Sequence, residues 1–452
     1  MSKMLRLIAL FLSTLLMANC VHAADVKVIP SKSGVDTWLI QDDNLPIIAV
    51  RMVFKKAGYA YDPKDRQGLA FMVANLLDKG AGDLDYVSFN KRLEEQAIQL
   101  SAHVDADNFY IDLKTLRQNA DEAFRLLNMA LTDPRLESSS IEQVRKQVLI
   151  AIKKDLEDPD SVAETAWNEE VLRGHPYAYQ SKGTLDTVAS IRRKDILKFV
   201  ASRLSRSQVL MSMAGNITPN EAAAATDKVL FKLPRLSNSL QLPSPHYSEG
   251  REITLPLQVP QSVVLFGHES IKYGHPDFYA AHILNYILGG GGFESRLMHR
   301  VRSDKGLAYN VTTYINSFDR GALLQGKVST RNDAVEKSIA IVKQEFARLQ
   351  KGDVTPEELK LAKDYLTGSF VLKLDSNEKL VRFLAFMQLE NLGTNFLSKR
   401  NDYINAVTLE DVNRVAKTLL KPDKLVFVTV GNVTTAEKVP EKGSEKAPEK
   451  AN

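Results

Sequence analysis

The chain has 452 residues, 25% charged and 44% hydrophobic, with 59 Lys and Arg against 55 Asp and Glu and a formal charge of +4. So even a balance argues against a nucleic-acid or anionic-membrane surface, and no apolar run reaches the length of a bilayer span. The length exceeds what one hydrophobic core supports, about 250–300 residues, so at least two domains are expected.

The first residues carry Lys3 and Arg6, then an apolar run from Leu7 to Met17, then Val21-His22-Ala23 before Ala24. That order reads as a secretory signal peptide over 1–24, with an apolar run too short to span a membrane. Export to a bacterial periplasm or beyond is therefore expected. The single cysteine, Cys20, falls in the removed segment, so the mature chain forms no disulfide. Lipidation at Cys20 is the alternative, although Asn19 before it is a poor match to the small residue such a site uses. Loss of Lys3 and Arg6 lowers the formal charge from +4 to +2.

Beyond the leader, strand-like runs (DTWLI, IIAVRMVF, VVLFGHES, LVFVTVGN) alternate with helical ones (DEAFRLLNMAL, AVEKSIAIVKQEFARL). This mixture predicts an α+β fold whose mixed, largely antiparallel sheet is covered on one face by helices. An internal repeat sets the number of units. Ser190–Thr218 aligns without a gap on Ala406–Thr434. Helix starts recur at the same offset: Ser139-x-x-Glu142 matches Thr355-Pro-Glu-Glu358, and Thr218-Pro-Asn-Glu221 matches Thr434-x-x-Glu437. Two homologous domains follow, 25–235 and 251–435, joined by a Pro/Ser-rich linker at 236–250. Residues 436–452 repeat a Glu-Lys-x-Pro theme with almost no large apolar side chain, so disorder is predicted there.

Within the second copy, four consecutive glycines, Gly289–Gly292, mark a sharp turn or a close backbone approach. From Phe293 to Asp304 the apolar residues Phe293, Leu297 and Val301 recur every four positions, predicting an amphipathic helix with Arg296, Arg300 and Arg302 off its apolar stripe. Lys305-Gly306 ends it, and AYNVTTYI reads as a strand. Arg302 and Tyr309 are thus expected on either side of one tight turn. No Gly-Lys-Ser/Thr follows the glycines, which disfavours a nucleotide loop. A nucleophile-elbow serine and a catalytic cysteine are also missing.

The strings GGGGFESRL and VRSDKGLAY resemble the second homologous domain of the pitrilysin/insulinase zinc peptidases, in the branch of the mitochondrial processing peptidase and its heterodimeric bacterial relatives. The resemblance runs from about Val26 to Thr434. It implies that Arg302 and Tyr309 complete a peptide-hydrolysing site, with Gly289, Gly290, Gly291, Gly292 and Phe293 beside the substrate, and that the zinc is bound elsewhere. The family's zinc helix carries His-x-x-Glu-His after Gly-Leu-Ala, two histidines binding one zinc while the glutamate serves as base. In GLAFMVANLL those positions hold Phe71, Ala74 and Asn75, and the distant glutamate ligand falls at about Ile150. Phe71, Ala74 and Ile150 are read as core residues filling a former metal pocket. The seven histidines after the leader show no i, i+4 pair with an acid between; His175 in RGHPYAY is expected to be structural, and His275 and His282 to be satisfied by hydrogen bonds.

The resemblance therefore implies the non-metal subunit of a heterodimeric metalloendopeptidase. No cofactor is expected in this chain, zinc is expected in a paralogous partner, and peptides or unfolded segments are the substrate. A non-catalytic scaffold or binding protein derived from the peptidase fold is the alternative.

Overall fold

The computed structural model describes residues 25–236, 240–303 and 305–432. The expected leader, the expected tail, the Thr434 cap and residues 237–239 of the expected linker lie outside the described residues. The first half contains β1 (Lys27–Ile29), β2 (Thr37–Gln41), β3 (Ile47–Lys55), α1 (Leu69–Leu76), α2 (Tyr86–Glu95), β4 (Gln99–Val104), β5 (Asn108–Leu116), α3 (Ala120–Thr132), α4 (Ser138–Asp155), α5 (Pro159–Val171), α6 (Leu185–Ser190), α7 (Arg193–Arg203), β6 (Val209–Gly215) and α8 (Pro219–Leu230). The second contains β7 (Glu252–Pro256), β8 (Gln261–Glu269), α9 (Phe278–Asn285), the one-turn α10 (Arg296–Met298), β9 (Ala308–Phe318), β10 (Gly321–Arg331), α11 (Val335–Gln350), α12 (Pro356–Gly368), α13 (Asn377–Leu389), α14 (Phe396–Ala406), α15 (Leu409–Leu419) and β11 (Val426–Gly431).

One sheet has the order β1-β2-β6-β3-β5-β4, the other β7-β11-β8-β10-β9. Apart from the edge strand β1 the two are the same topology. β2 pairs with β6 in parallel, as β7 does with β11, and every other pairing is antiparallel. The duplication holds in register as well: α7 and α15 match end for end in the alignment of the repeat, Arg193 with Leu409 and Arg203 with Leu419. Two of the expected helix caps are present as capping boxes, Thr218 with Glu221 and Thr355 with Glu358, each with proline in the first turn. The expected Ser139 cap is not. α4 starts at Ser138, two residues earlier than that cap implies, with Glu137 at the cap position and no side-chain bond.

Each sheet is covered on both faces, which corrects the one-face expectation. In β3, Ile48, Val50, Met52 and Phe54 pack on the helices of their own half. Ala49 faces the other way, with Ala214 of β6, onto Leu380 and Leu384 of α13 from the second half. The reciprocal contact places α5 of the first half on the second sheet. There Ala163, Trp167 and Val171 meet Val263, Leu265, Val426 and Val428, while Val264 and Phe266 face the second half's own helices. Strands buried on both faces read as continuous apolar runs, which explains why IIAVRMVF and LVFVTVGN lack polar alternation.

Polar groups on both crossing helices find backbone partners in the opposite sheet. Trp167 Nε1–H donates to the Val426 carbonyl at 3.3 Å, and Gln388 Nε2–H donates to the Met211 carbonyl at 3.2 Å and Ser212 Oγ at 2.8 Å. A buried cluster joins the β4–β5 turn to the β9–β10 turn. Asp107 Oδ1 accepts from the Tyr177 hydroxyl at 2.7 Å and Asp107 Oδ2 from the Asp319 backbone N–H at 2.8 Å, while Tyr177 stacks on Phe318 at 4.6 Å between centroids.

Trp167 is fully buried, so Trp167→Ala removes a large apolar group at the seam and leaves a cavity. A loss of about 3–5 kcal/mol is expected in chemical denaturation, and a loss below about 1 kcal/mol would show that the halves do not depend on this contact. The Asp107 carboxyl is pushed up to about 7, first by burial and then by the Asp319 carboxylate. Its folded pKa lies above the unfolded value of about 3.9, so between those two values the folded chain keeps a proton that the unfolded chain has released. Its contribution to stability therefore falls as pH rises through that window. Asp107→Asn cannot ionise, so its melting temperature relative to the unmodified chain should climb from about pH 4 to about pH 7 and level off above. Parallel pH profiles would mean that Asp107 is ionised in the fold throughout.

Candidate functional site

The glycine segment is built from two π turns, each carrying one residue more per turn than an α-helix and so rotating whatever follows. α9 runs directly into the first, Tyr286–Gly290, where the Gly291 N–H donates to the Tyr286 carbonyl at 2.8 Å. The glycines answer to two different needs. A Cβ on Gly289 would lie 2.6 Å from Thr313 Oγ1 of β9, and one on Gly290 2.6 Å from Asn285 Nδ2, so the first lets the turn approach the protein's own strand and the second lets it close on the end of α9. Gly292 has φ +58° and open space around it, a left-handed position that favours glycine. Gly289 is buried, so the substrate contact expected of all four glycines is open only to Gly290, Gly291 and Gly292.

The predicted helix from Phe293 to Asp304 is not continuous. A 3₁₀ turn at Gly292–Glu294, the α turn α10 and a second π turn at His299–Ser303 replace it, and Asp304 lies outside the described residues. Leu297 and Val301 are buried as the stripe requires, but Phe293 precedes the helical turn and is 62% exposed. The segment is held down by its arginines. Arg296 donates from Nε and Nη2 to both carboxylate oxygens of Glu358 at 2.6 and 2.7 Å, and from Nη1 to Asp353 Oδ1 at 2.6 Å. Arg300 pairs with the fully buried Glu345 at 3.7 Å. Arg302, within the second π turn, pairs with none of these three acids.

Arg302 lies between two aromatic rings. Its Cζ is 4.8 Å from the centroid of Phe293 and 4.7 Å from that of Tyr309. Gly306, at φ +59°, closes the turn as expected: its N–H donates to the Arg302 carbonyl and the Leu307 N–H to that of Val301, both at 2.9 Å. That nested pair delivers the chain into edge strand β9, where Tyr309 is 74% exposed. Each such contact contributes about 0.5–1 kcal/mol at an exposed site and holds the guanidinium beside the two rings. Arg302 forms no ion pair with any described side chain.

The first half presents no such convergence. α1 is started by Asp62, whose carboxylate accepts the Ala70 N–H at 3.1 and 3.2 Å. Ala74 is buried and Phe71 half-buried against the first core, as expected, but Asn75 is exposed and its Nδ2–H donates to the Phe71 carbonyl at 2.8 Å. Ile150 corrects the reading of a filled pocket, being 68% exposed. Ile141, Val144, Val148 and Ile152 form the buried stripe of α4, and position 150 falls off it. A phenyl ring, a methyl group, an alkyl chain and one carboxamide already used by the backbone do not make a zinc site, and these positions do not fit the metal. Among the described residues no group of three or more His, Cys, Asp or Glu side chains is arranged to hold a metal ion.

The histidines divide. His175 is structural: Nδ1 accepts the Tyr177 N–H and Nε2 faces the Pro243 carbonyl, both at 3.0 Å, so Nε2 carries the proton. His275 Nδ1 accepts the Asp277 N–H at 3.1 Å. His282, expected to be satisfied likewise, makes no hydrogen bond to a described residue and lines a cavity instead. Neither that cavity nor the Arg296 clamp was visible as a motif, because each joins residues far apart in the chain.

Comparison with known proteins agrees with this geometry. The family profile described as insulinase (peptidase family M16) matches residues 38–184, and that of the peptidase M16 inactive domain matches residues 190–366. The two meet inside the first α+β half rather than between the sheets. A Helicobacter pylori protein named non-peptidase homolog YmxG is 27% identical over 399 residues, covering 87% of this chain and 91% of that protein. The beta subunit of the Saccharomyces cerevisiae mitochondrial-processing peptidase is 20% identical over 403 residues, covering 86% and 87%. A Pseudomonas fluorescens crystal structure titled peptidase M16 inactive domain shares the fold with a TM-score of 0.85 at 24% identity, covering 91% of this chain and 99% of that one. A protease structure from Helicobacter pylori does so with a TM-score of 0.80 at 18% identity, covering 90% and 99%. Matched over both halves in sequence and in fold, the chain belongs to peptidase family M16, the insulinase family.

Proposed function

We propose that the chain is the non-metal subunit of an exported, heterodimeric metalloendopeptidase, and that Arg302 and Tyr309 contribute to a composite site whose zinc is held by a paralogous partner. The observation that carries the reading is the guanidinium of Arg302 clasped between the exposed rings of Phe293 and Tyr309. Two exposed aromatic rings and an arginine without a described ion pair add little to the fold, whereas Arg296 and Arg300 a turn away are committed to carboxylates. The name of the yeast relative, a processing-peptidase subunit, supports the subunit assignment. Export rests on the N-terminal leader in the sequence.

In this reading the partner's metal supplies an activated water, and no step passes through Phe71, Ala74, Asn75 or Ile150. The residues of this chain orient and stabilise. Arg302 directs its in-plane N–H groups at a substrate carbonyl, held by ring stacking so that little rotamer entropy is lost on binding. Tyr309 donates its hydroxyl proton in a hydrogen bond to the oxygen on which charge develops. Gly290, Gly291 and Gly292 admit an extended backbone next to Phe293, which suits peptides or unfolded segments. Among the described residues no helix is long and apolar enough to cross a membrane.

In the complex with its partner, Tyr309→Phe keeps the ring over Arg302 and removes one donor, so association should be unchanged while turnover falls by on the order of 100- to 1000-fold. Arg302→Ala should raise the Michaelis constant as well. Turnover by the Tyr309→Phe complex within about threefold of the unmodified complex would place the chain in the scaffold class. The purified chain alone should carry no stoichiometric zinc and should elute with a zinc-bearing paralogue as one species when the two are expressed together. Elemental analysis finding about one zinc per chain would overturn the assignment.

A further inference from the structure

α9, β9, the 3₁₀ turn Ser369–Lys373, α13 and α14 enclose a cavity of about 390 Å³ in the second half. That volume lies in the range of small-molecule sites. Its walls are aromatic: Tyr273 packs edge-on to Phe386 at 5.1 Å and Phe383 stacks near Phe396 at 6.1 Å. An apolar hole of this kind would need no charges, yet it contains three basic side chains.

Arg400 is 9% exposed, with its Cζ 4.1 Å from the centroid of Phe370. Its Nη1 donates at 3.1 Å to the Leu366 carbonyl and to Asn401 Oδ1, and no described carboxylate lies within ion-pair distance of it. Lys373 lines the same cavity, also without an ion pair among the described residues, and its ammonium is pushed below the usual range by burial and by Arg400. His282 is pushed down to about 4 by burial, Arg400 and Lys373, so it is neutral near pH 7. Asn285 is 8% exposed, and its Oδ1 is buried with no hydrogen-bond partner among the described residues. A guanidinium out of water without a counter-charge is costly, and so is a buried acceptor without a donor. Both costs are met by one guest.

We propose that this cavity binds a small aromatic carboxylate that carries an adjacent amide N–H, the chemistry shared by an N-acyl aromatic amino acid and the C-terminus of a peptide ending in one. The carboxylate would sit at Arg400 and Lys373, the N–H would satisfy Asn285 Oδ1, and the ring would pack among Tyr273, Phe383 and Phe386. Glu390 lines the cavity too, with its carboxyl pushed up by burial, and it forms no ion pair with Arg400 or Lys373. His282, Asn285 and Lys373 also line an adjoining groove that reaches Tyr286 and Gly290.

The test uses the full mature chain alone, so its outcome does not depend on the peptidase reading. Calorimetric titration with N-acetyl-L-phenylalanine should give one site per chain, and the isosteric N-acetyl-L-phenylalaninamide, lacking the charge, should bind at least about tenfold more weakly. Lys373→Met should weaken the acid by about tenfold at an unchanged melting temperature, since this partly exposed lysine supports no packing. A parallel titration with the tripeptide Ala-Ala-Phe separates the sources: tighter binding than the free N-acyl acid assigns the site to peptide C-termini, weaker binding to free acids. Equal affinity for acid and amide, no effect of Lys373→Met, or no binding of either acid would overturn the proposal.

Discussion

The contact on which the molecule depends is the reciprocal exchange of one helix between halves, α5 lying on the second sheet and α13 on the first. Neither sheet is complete by itself. β3, β6, β8 and β11 are apolar on both faces, and without the visiting helix each would expose a row of valines, alanines and leucines to water at about 25 cal/mol per Å². The seam is sealed by backbone carbonyls that accept from Trp167 and Gln388, and by the Asp107–Tyr177 cluster at the strand turns. Because the two sheets are locked together, the glycine segment and the cavity of the second half rest on a rigid support.

On that support, small irregularities of backbone decide which side chains are available. An uninterrupted helix over Phe293–Asp304 would have carried its three arginines around one regular spiral. Two π turns and a left-handed glycine instead set Arg296 and Arg300 against carboxylates and leave Arg302 beside two rings. Such turns are strained relative to an α-helix, and what holds them here is measurable: the bidentate Arg296–Glu358 pair, the Asp353 contact and the burial of Leu297 and Val301.

Two arginines, the partly buried Arg296 and the buried Arg400, illustrate how charge is distributed in this half. Arg296 meets two carboxylates with good geometry and a further backbone carbonyl, which offsets its desolvation. Arg400 meets only neutral oxygens and an aromatic face. The first is a structural clamp; the second leaves positive potential inside an aromatic cavity. That contrast, more than the size of the cavity, distinguishes a binding site from a packing defect.

Much of the fold could be read in advance, because it rests on local rules. The alternation of strand and helix runs, the gapless repeat that carries Ser190–Thr218 onto Ala406–Thr434, the Thr218 and Thr355 capping boxes, the Gly306 turn and strand β9 are each written in short continuous stretches of chain. The repeat was legible only in its later part. α1 starts at Leu69 and α9 at Phe278, a shorter separation than that between α7 and α15, and insertions between them hide the match from a gapless comparison. The proximity of Arg302 to Tyr309 was likewise local, whereas the place of Phe293 beside that guanidinium followed from the broken helix. Ile150 was misplaced because its exposure depends on which face of α4 meets α1, and the Arg400 cavity gave no signal because it gathers residues from Tyr273 to Arg400. The sequence by itself determined most of the secondary structure and the duplication, since these depend on residue type and spacing along the chain. Only the tertiary structure decided which arginine pairs with carboxylates, which helix crosses to the other sheet and where charge lies buried without a partner, because burial and pairing are set by segments distant in sequence that meet only when the sheets close on one another.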